Sequence, residues 1–303
     1  MKTRILLFAL LLTGLISQAQ QDAQYTQYMY NTVAINPAYA GSRGMMSIFG
    51  LYRTQWVGLD GAPKTAVFSL NSPIGNSRLG YGIGFANDQI GPTTENAVSA
   101  DVSYTLPVSE TTKLSFGIKG TAGLFSLDVN KLDPSVITDN NLRSYNSKFS
   151  PNFGAGTYLH GEKFYVGLSV PNFLKQYQYS DNDIKVNREQ MHYYLMGGYV
   201  FDVSYDLQLK PAVLVKAVQG APLQADISLT ALYLEKLSIG AAYRWDAAWS
   251  AMAGFQVTPG FMLGYAYDME TTRLKNYNSG THEVYLRFEL FTKYTNLGTP
   301  RFF

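Results

Sequence analysis

From residue 44 to residue 291 one pattern recurs, and few folds can accommodate it. Apolar residues alternate with small or polar ones at period two, over stretches of about 9–12 residues. Leu79, Tyr81, Ile83 and Phe85 alternate with Gly80, Gly82 and Gly84. Leu114, Phe116 and Ile118 alternate with Ser115, Gly117 and Lys119. The same reading holds around Phe164–Val170, Leu223–Leu229, Leu237–Tyr243, Phe261–Tyr267 and Val284–Leu290. A soluble sandwich also alternates, but its outer face carries dense charge. Here only 15% of residues are charged, below the roughly 25% of a soluble domain. A strand tilted across a bilayer needs about 9–11 residues, which these stretches supply, while no apolar run after residue 44 reaches the ~20 residues of a membrane helix. The expectation is an all-β chain: a single transmembrane antiparallel β-barrel of about 14 strands.

The expected strands are 44–55, 64–72, 78–88, 95–106, 112–125, 149–159, 162–170, 191–202, 206–217, 223–233, 235–246, 248–257, 261–269 and 281–291. Their number is even, as in bacterial single-chain barrels. Connections alternate in length. Short ones lie at 107–110, 160–161 and 258–260; long ones span 126–148, 171–190 and 270–280. Short turns belong to the periplasmic side of such barrels, so both chain termini are expected there. Arg or Lys on the lipid face at mid-membrane costs about 2–4 kcal/mol. Lys119, Lys210, Lys216, Arg244 and Arg287 are therefore expected to point inward, with Asp101, Asp226, Asp246, Asp268 and Glu289 sharing that face.

Residues 1–19 read as a signal peptide. Lys2 and Arg4 precede the apolar run Ile5–Ile16, and Ser17 and Ala19 are small residues before a cleavage point. The remaining chain balances 24 − 2 = 22 basic residues against 22 acidic ones, so nothing recruits nucleic acid by charge. Residues 20–43 alternate with no strand period, and Pro37 bends the chain by fixing its own φ and excluding Asn36 from the α region. A 14-strand lumen is too wide for wall side chains alone to fill. Residues 20–43 are thus expected to be an N-terminal plug that enters from the periplasm and fills the inner end, with Tyr25, Tyr28, Asn36, Pro37 and Tyr39 as its principal side chains. The barrel proper is expected over 44–292, followed by a periplasmic tail at 293–303.

No catalytic, metal or cofactor site emerges. There is no cysteine, and His160, His192 and His282 lack metal-ligand spacing. No G-x-S-x-G elbow or serine–histidine motif supports an outer-membrane lipase. The Gly80–Gly84 run is followed by no lysine or helix start, so it is not a phosphate loop. Asp128, Asn130, Asp133, Asp139, Asn140 and Asn141 lack a calcium-loop spacing and read as a solvated loop. The hairpin from Arg53 to Thr65 stands out as a surface. Arg53, Gln55, Trp56, Asp60 and Lys64 are its partner-binding candidates, since Arg and Trp dominate binding hot spots. The competing reading is a girdle tryptophan beside an ordinary turn at Asp60-Gly61.

Four segments resemble the PorP/SprF family of outer-membrane proteins of the type IX secretion system of Bacteroidetes. They are Gln24-Tyr25-Thr26-Gln27-Tyr28-Met29 running on to Asn36-Pro37-Ala38-Tyr39-Ala40-Gly41, then Tyr52 to Thr65, then Asn87 to Thr93, and the closing Pro300-Arg301-Phe302-Phe303. The resemblance implies a non-enzymatic component without cofactors that supports secretion or surface attachment of cargo such as gliding adhesins. The partners it implies are outer-membrane lipid, the C-terminal region of a cargo or adhesin outside, and periplasmic ring lipoprotein components. Asn36-Pro37-Ala38 also looks like the hatch of FadL-like 14-strand transporters, which leaves a channel for hydrophobic solutes as the alternative.

Overall fold

The computed structural model describes residues 25–131, 145–174, 177–181, 184–188 and 190–290. The expected signal peptide at 1–19, residues 20–24, everything after residue 290, and Asp133, Asp139, Asn140 and Asn141 lie outside the described residues. The strands are β1 (Met46–Thr54), β2 (Lys64–Pro73), β3 (Leu79–Ile90), β4 (Thr93–Pro107), β5 (Lys113–Leu127), β6 (Tyr145–His160) and β7 (Phe164–Val170). A two-stranded ribbon of β8 (Tyr177–Asp181) and β9 (Ile184–Arg188) follows. Then come β10 (His192–Tyr199) with its continuation β11 (Phe201–Asp202), β12 (Leu207–Val218), β13 (Gln224–Tyr233), β14 (Leu237–Arg244), β15 (Ala248–Thr258), β16 (Phe261–Glu270) and β17 (Thr281–Leu290).

Every barrel neighbour is antiparallel, and the ring closes where β1 meets β17, from Met46↔Leu290 to Thr54↔His282. Counting β10 and β11 as one strand, both paired to β12, the result is a closed 14-strand barrel. Closure is what lipid demands, because an open sheet edge would leave unpaired N–H and C=O groups in hydrocarbon. Strand lengths are less uniform than the alternation predicts. β4, β5 and β6 run to 15, 15 and 16 residues, whereas β7 has 7. The wall is therefore tall on one side and low beside it.

The alternation sorts the two faces. Ile118 is 65% exposed and Leu168 55%, both on the outside, whereas their neighbours Lys119 and Ser169 are buried inside. Asp101, Lys119, Lys210, Lys216, Asp226, Arg244, Asp268, Arg287 and Glu289 are all buried on the inner face. Asp246 differs: it sits in the exposed β14–β15 turn with φ 52°, because the strand ends at Arg244. β1 breaks the simple rule as well. Phe49 and Leu51 face inward and are buried, so the inner face is not uniformly polar.

Candidate functional site: the segment inside the barrel and the mouth above it

Inward apolar residues need something to pack against, and residues 25–45 provide it. The segment is a chain of short turns: Tyr28–Tyr30, the helical turn Thr32–Ile35, and Pro37–Tyr39. Tyr28, Asn36, Pro37 and Tyr39 are buried, and Tyr25 is half-buried. Tyr30 stacks on Tyr285 at 4.8 Å between centroids, and Phe49 stacks on the same ring at 5.4 Å. The Lys210 ammonium and the Arg287 guanidinium lie 5.4 and 5.5 Å from the Tyr30 ring centre, within cation–π range. Tyr39 meets Tyr158 edge-on at 5.3 Å.

Irregular backbone inside a barrel must find partners away from water, and wall side chains supply them. Lys119 Nζ donates to the carbonyls of Val33 and Ala34 at 3.2 and 3.3 Å, where the helical turn ends, and pairs with Asp101 at 3.2 Å. Ser169 Oγ donates to the Ile35 carbonyl and Ser103 Oγ to the Ala40 carbonyl. Asn36 serves both sides: its Oδ1 accepts from Ala38 N–H at 3.0 Å, and its Nδ2 donates to the Thr157 carbonyl at 2.9 Å. The inward glycines are the other half of this fit. A Cβ on Gly117 would lie 2.3 Å from Ala38 N, and one on Gly156 2.2 Å from Asn36 Oδ1. Glycine marks the places where segment and wall touch.

The direction of the segment differs from expectation. Thr26 Oγ1 donates to the Asp268 carboxylate at 2.7 Å, and the N–H groups of Thr26 and Gln27 donate to the Glu283 carboxylate at 3.1 and 2.9 Å. Asp268 and Glu283 flank the 271–280 connection, so the upstream end lies at the long-connection mouth. Arg43 pairs with Glu289, near the opposite end of β17, and Gly41 packs on Gly80 and Pro73 beside the short β2–β3 turn. The segment thus runs from mouth to mouth rather than starting and staying at the short-turn end. Thr26 and Gln27 are uncharged polar residues whose carboxylate partners lie more than 200 positions away, and nothing in their local sequence announces this.

Arg53 belongs to this interior too, not to the outer surface. It is 1% exposed, with Nη2 2.8 Å from Asp268, and Nη1 3.0 Å from Glu283 and 3.1 Å from Thr26 Oγ1. The rest of the hairpin is at the mouth: Asp60 and Lys64 are exposed, Gln55 and Trp56 half-buried. Gln55 N–H donates to the Pro63 carbonyl. Trp56 adopts φ 46°, a left-handed conformation costly for a bulky residue. Its N–H donates to Thr281 Oγ1 at 3.2 Å and its indole Nε1–H to Glu270 Oε1 at 2.9 Å. Val57 N–H reaches the Gly280 carbonyl and Gly91 N–H the Gly61 carbonyl, so connections 55–63, 91–92 and 271–280 are stitched together. A cavity of about 470 Å³ opens beneath the last of these, between Tyr267, Glu270, Lys275 and Gly280.

The histidines are dispersed. His160 closes β6 and is buried, His192 opens β10 and is buried, and His282 Nδ1 lies 2.6 Å from the Tyr265 hydroxyl. Among the described residues no group of three or more metal-ligating side chains converges.

The family model for the type IX secretion system membrane protein PorP/SprF matches residues 17–288. No protein with a curated description matches the chain. Among solved structures, the CymD monoaromatic hydrocarbon channel is similar at 12% identity and TM-score 0.50, covering 91% of this chain and 95% of that one. A Pseudomonas aeruginosa FadL homologue matches at 11% identity and TM-score 0.41 over 82% of this chain and 89% of its own. The KdgM porin matches at 10% identity and TM-score 0.40, over 81% and 99%. The first of these likenesses supports the fold alone.

Proposed function

The chain belongs to the type IX secretion system membrane protein PorP/SprF family, and from that premise we propose that it works by docking rather than by conducting solutes or catalysing a reaction. In this reading residues 25–45 are a plug, and the surface that engages cargo is the mouth carrying connections 55–63, 91–92 and 271–280. The observation that carries it is the fit between segment and wall. Inward glycines, Lys119, Ser103 and Ser169 all serve the segment's backbone. A lumen filled by its own chain is closed at rest, which leaves the mouths as the working surfaces. Gln55, Trp56, Asp60 and Lys64 would meet the C-terminal region of a cargo protein or adhesin outside. The short-turn end would face periplasmic ring lipoproteins. By the asymmetry of turn lengths the mouth with long connections is extracellular, and the C-terminal end of β17 periplasmic.

The test is deletion of the gene, with each type IX cargo followed in the medium and on the cell surface. Loss of export or attachment of at least one cargo is expected. Normal export and attachment of all of them would overturn the reading. A FadL-like channel for hydrophobic solutes is the second reading, favoured by the likeness to CymD. Liposome uptake of an apolar solute that requires residues 36–41 would favour it instead.

A further inference from the structure

We infer that residues 25–45 form a hinged gate whose latch is mechanically tied to Trp56, so that a protein segment taking up the Trp56 indole at the mouth unlatches the lumen. This rests on the reading of residues 25–45 as a plug and of connection 55–63 as a docking surface. Three geometric facts carry it. Met45 runs directly into β1, so the segment leaves the lumen only by drawing its upstream end back toward the short-turn mouth. Gly41 and Gly44, at φ 72° and 76°, stand at the pivot of such a swing. What holds the upstream end is one buried cluster of Thr26 and Gln27 with Arg53, Asp268 and Glu283.

Each wall residue of that cluster lies two or three positions from a residue that fixes the connection above. Arg53 precedes Trp56. Asp268 precedes Glu270, which accepts from the Trp56 indole, and Glu283 follows Thr281, which accepts from the Trp56 N–H. The left-handed backbone at Trp56 is held in place by these two bonds. A partner that competes for the indole removes one of them and frees the ends of β1, β16 and β17 that carry the latch. Linkage makes the effect reciprocal: a released segment strengthens partner binding by the same factor. The close spacing of latch residue and connection residue on three strands puts both sites on the same strand ends, the contiguity that coupling between them requires.

The experiment is conductance of the full-length protein in planar bilayers, with Trp56→Phe, Thr26→Val and the outward-facing Trp249→Phe compared with the parent. Trp56→Phe keeps the ring and removes the indole donor; Thr26→Val keeps the shape and removes the hydroxyl from the latch. Trp56→Phe loses one part-buried bond to a carboxylate, and Thr26→Val loses the bond to Asp268 together with the one from Arg53, so open probability should rise roughly tenfold in the first and at least as much in the second, and Trp249→Phe should leave it unchanged. A heat-modifiability gel on each variant confirms a folded barrel before it is scored. If Thr26→Val opens the lumen and Trp56→Phe does not, the latch exists but the coupling is refuted and the plug reading stands. If neither opens it, the gate itself is refuted. If the parent conducts steadily, the plug reading fails with it.

Discussion

Gly117 and Gly120 lie on the same strand, three residues apart, and should respond oppositely to alanine. On Gly117 the added Cβ would sit 2.3 Å from Ala38 N and 2.4 Å from Pro37 C. The first distance is 1.1 Å short of the 3.4 Å at which ordinary contact begins, and both neighbours are backbone. Neither can rotate away, so strand or segment must move by about that amount. Ala38 is held by Asn36 Oδ1, and Asn36 by the Thr157 carbonyl, so a shift strains two hydrogen bonds besides. Overpacking of this kind costs about 1–3 kcal/mol. On Gly120, which faces outward, the Cβ meets nothing within 4 Å. There alanine should be neutral, or gain the ~0.5–1 kcal/mol that glycine forfeits in a strand. Urea unfolding of the protein refolded into lipid vesicles reads both. Equal midpoints for Gly117→Ala and Gly120→Ala would refute the account of the inner glycines as seats for the segment.

Other outcomes follow from the same wall. Arg53→Met leaves Asp268 and Glu283 buried without their cation and should cost about 3–5 kcal/mol in the same unfolding assay. Adding Asp268→Asn and Glu283→Gln to that variant should recover part of the loss, and no recovery would mean that packing, not charge, is what Arg53 provides. Ile118→Lys places a cation on the lipid face mid-strand and should cost about 2–4 kcal/mol, seen as a smaller heat-resistant folded fraction on a gel. Trp56→Ala, if the mouth is a docking surface, should weaken cargo attachment at the cell surface while that gel band stays intact, the effect expected of a hot-spot residue.

What could be read from the sequence follows from where lipid dictates the chemistry. Ile83, Ile118 and Leu168 had to face hydrocarbon, so alternation marks the barrel strands, their count and their two faces, whereas the β8–β9 ribbon lies within the expected 171–190 connection, outside the wall, where no lipid imposes the pattern. Asp246 escaped because no such pressure acts on a turn residue, and β14 stops two positions before it. Phe49 and Leu51 escaped for a different reason. They face inward, where the competing environment is not water but Tyr285 and residues 25–45, and apolar packing inside a lumen leaves the same letters as lipid outside. The glycines at 80, 117 and 156 carried information that alternation cannot separate from small polar filler. Only the facing atoms, backbone of Ala40 and Ala38 at Gly80 and Gly117 and the Asn36 side chain at Gly156, show that they are close approaches. Arg53 looked like a surface residue because it precedes a surface connection, yet strand parity turns it inward toward Asp268.

The course of residues 25–45 ties the segment to the closing seam. Arg53 lies on β1 and Glu283 and Glu289 on β17, the two strands that meet to complete the ring. Thr26 and Gln27 join the first two of these residues at one mouth, and Arg43 joins the third at the other. Each carboxylate is buried in the filled barrel, so each donor it gains from the segment counts for more than it would at an exposed site. A barrel that closed with the segment outside would keep Arg53 on Glu283 and Arg287 on Glu289 but lose the donors of Thr26, Gln27 and Arg43. A segment lying against a sheet open at this seam could not hold anchors on β1 and β17 at once. Closure and insertion therefore stabilise one another, and the stability of the seam depends on residues that are not in the wall at all.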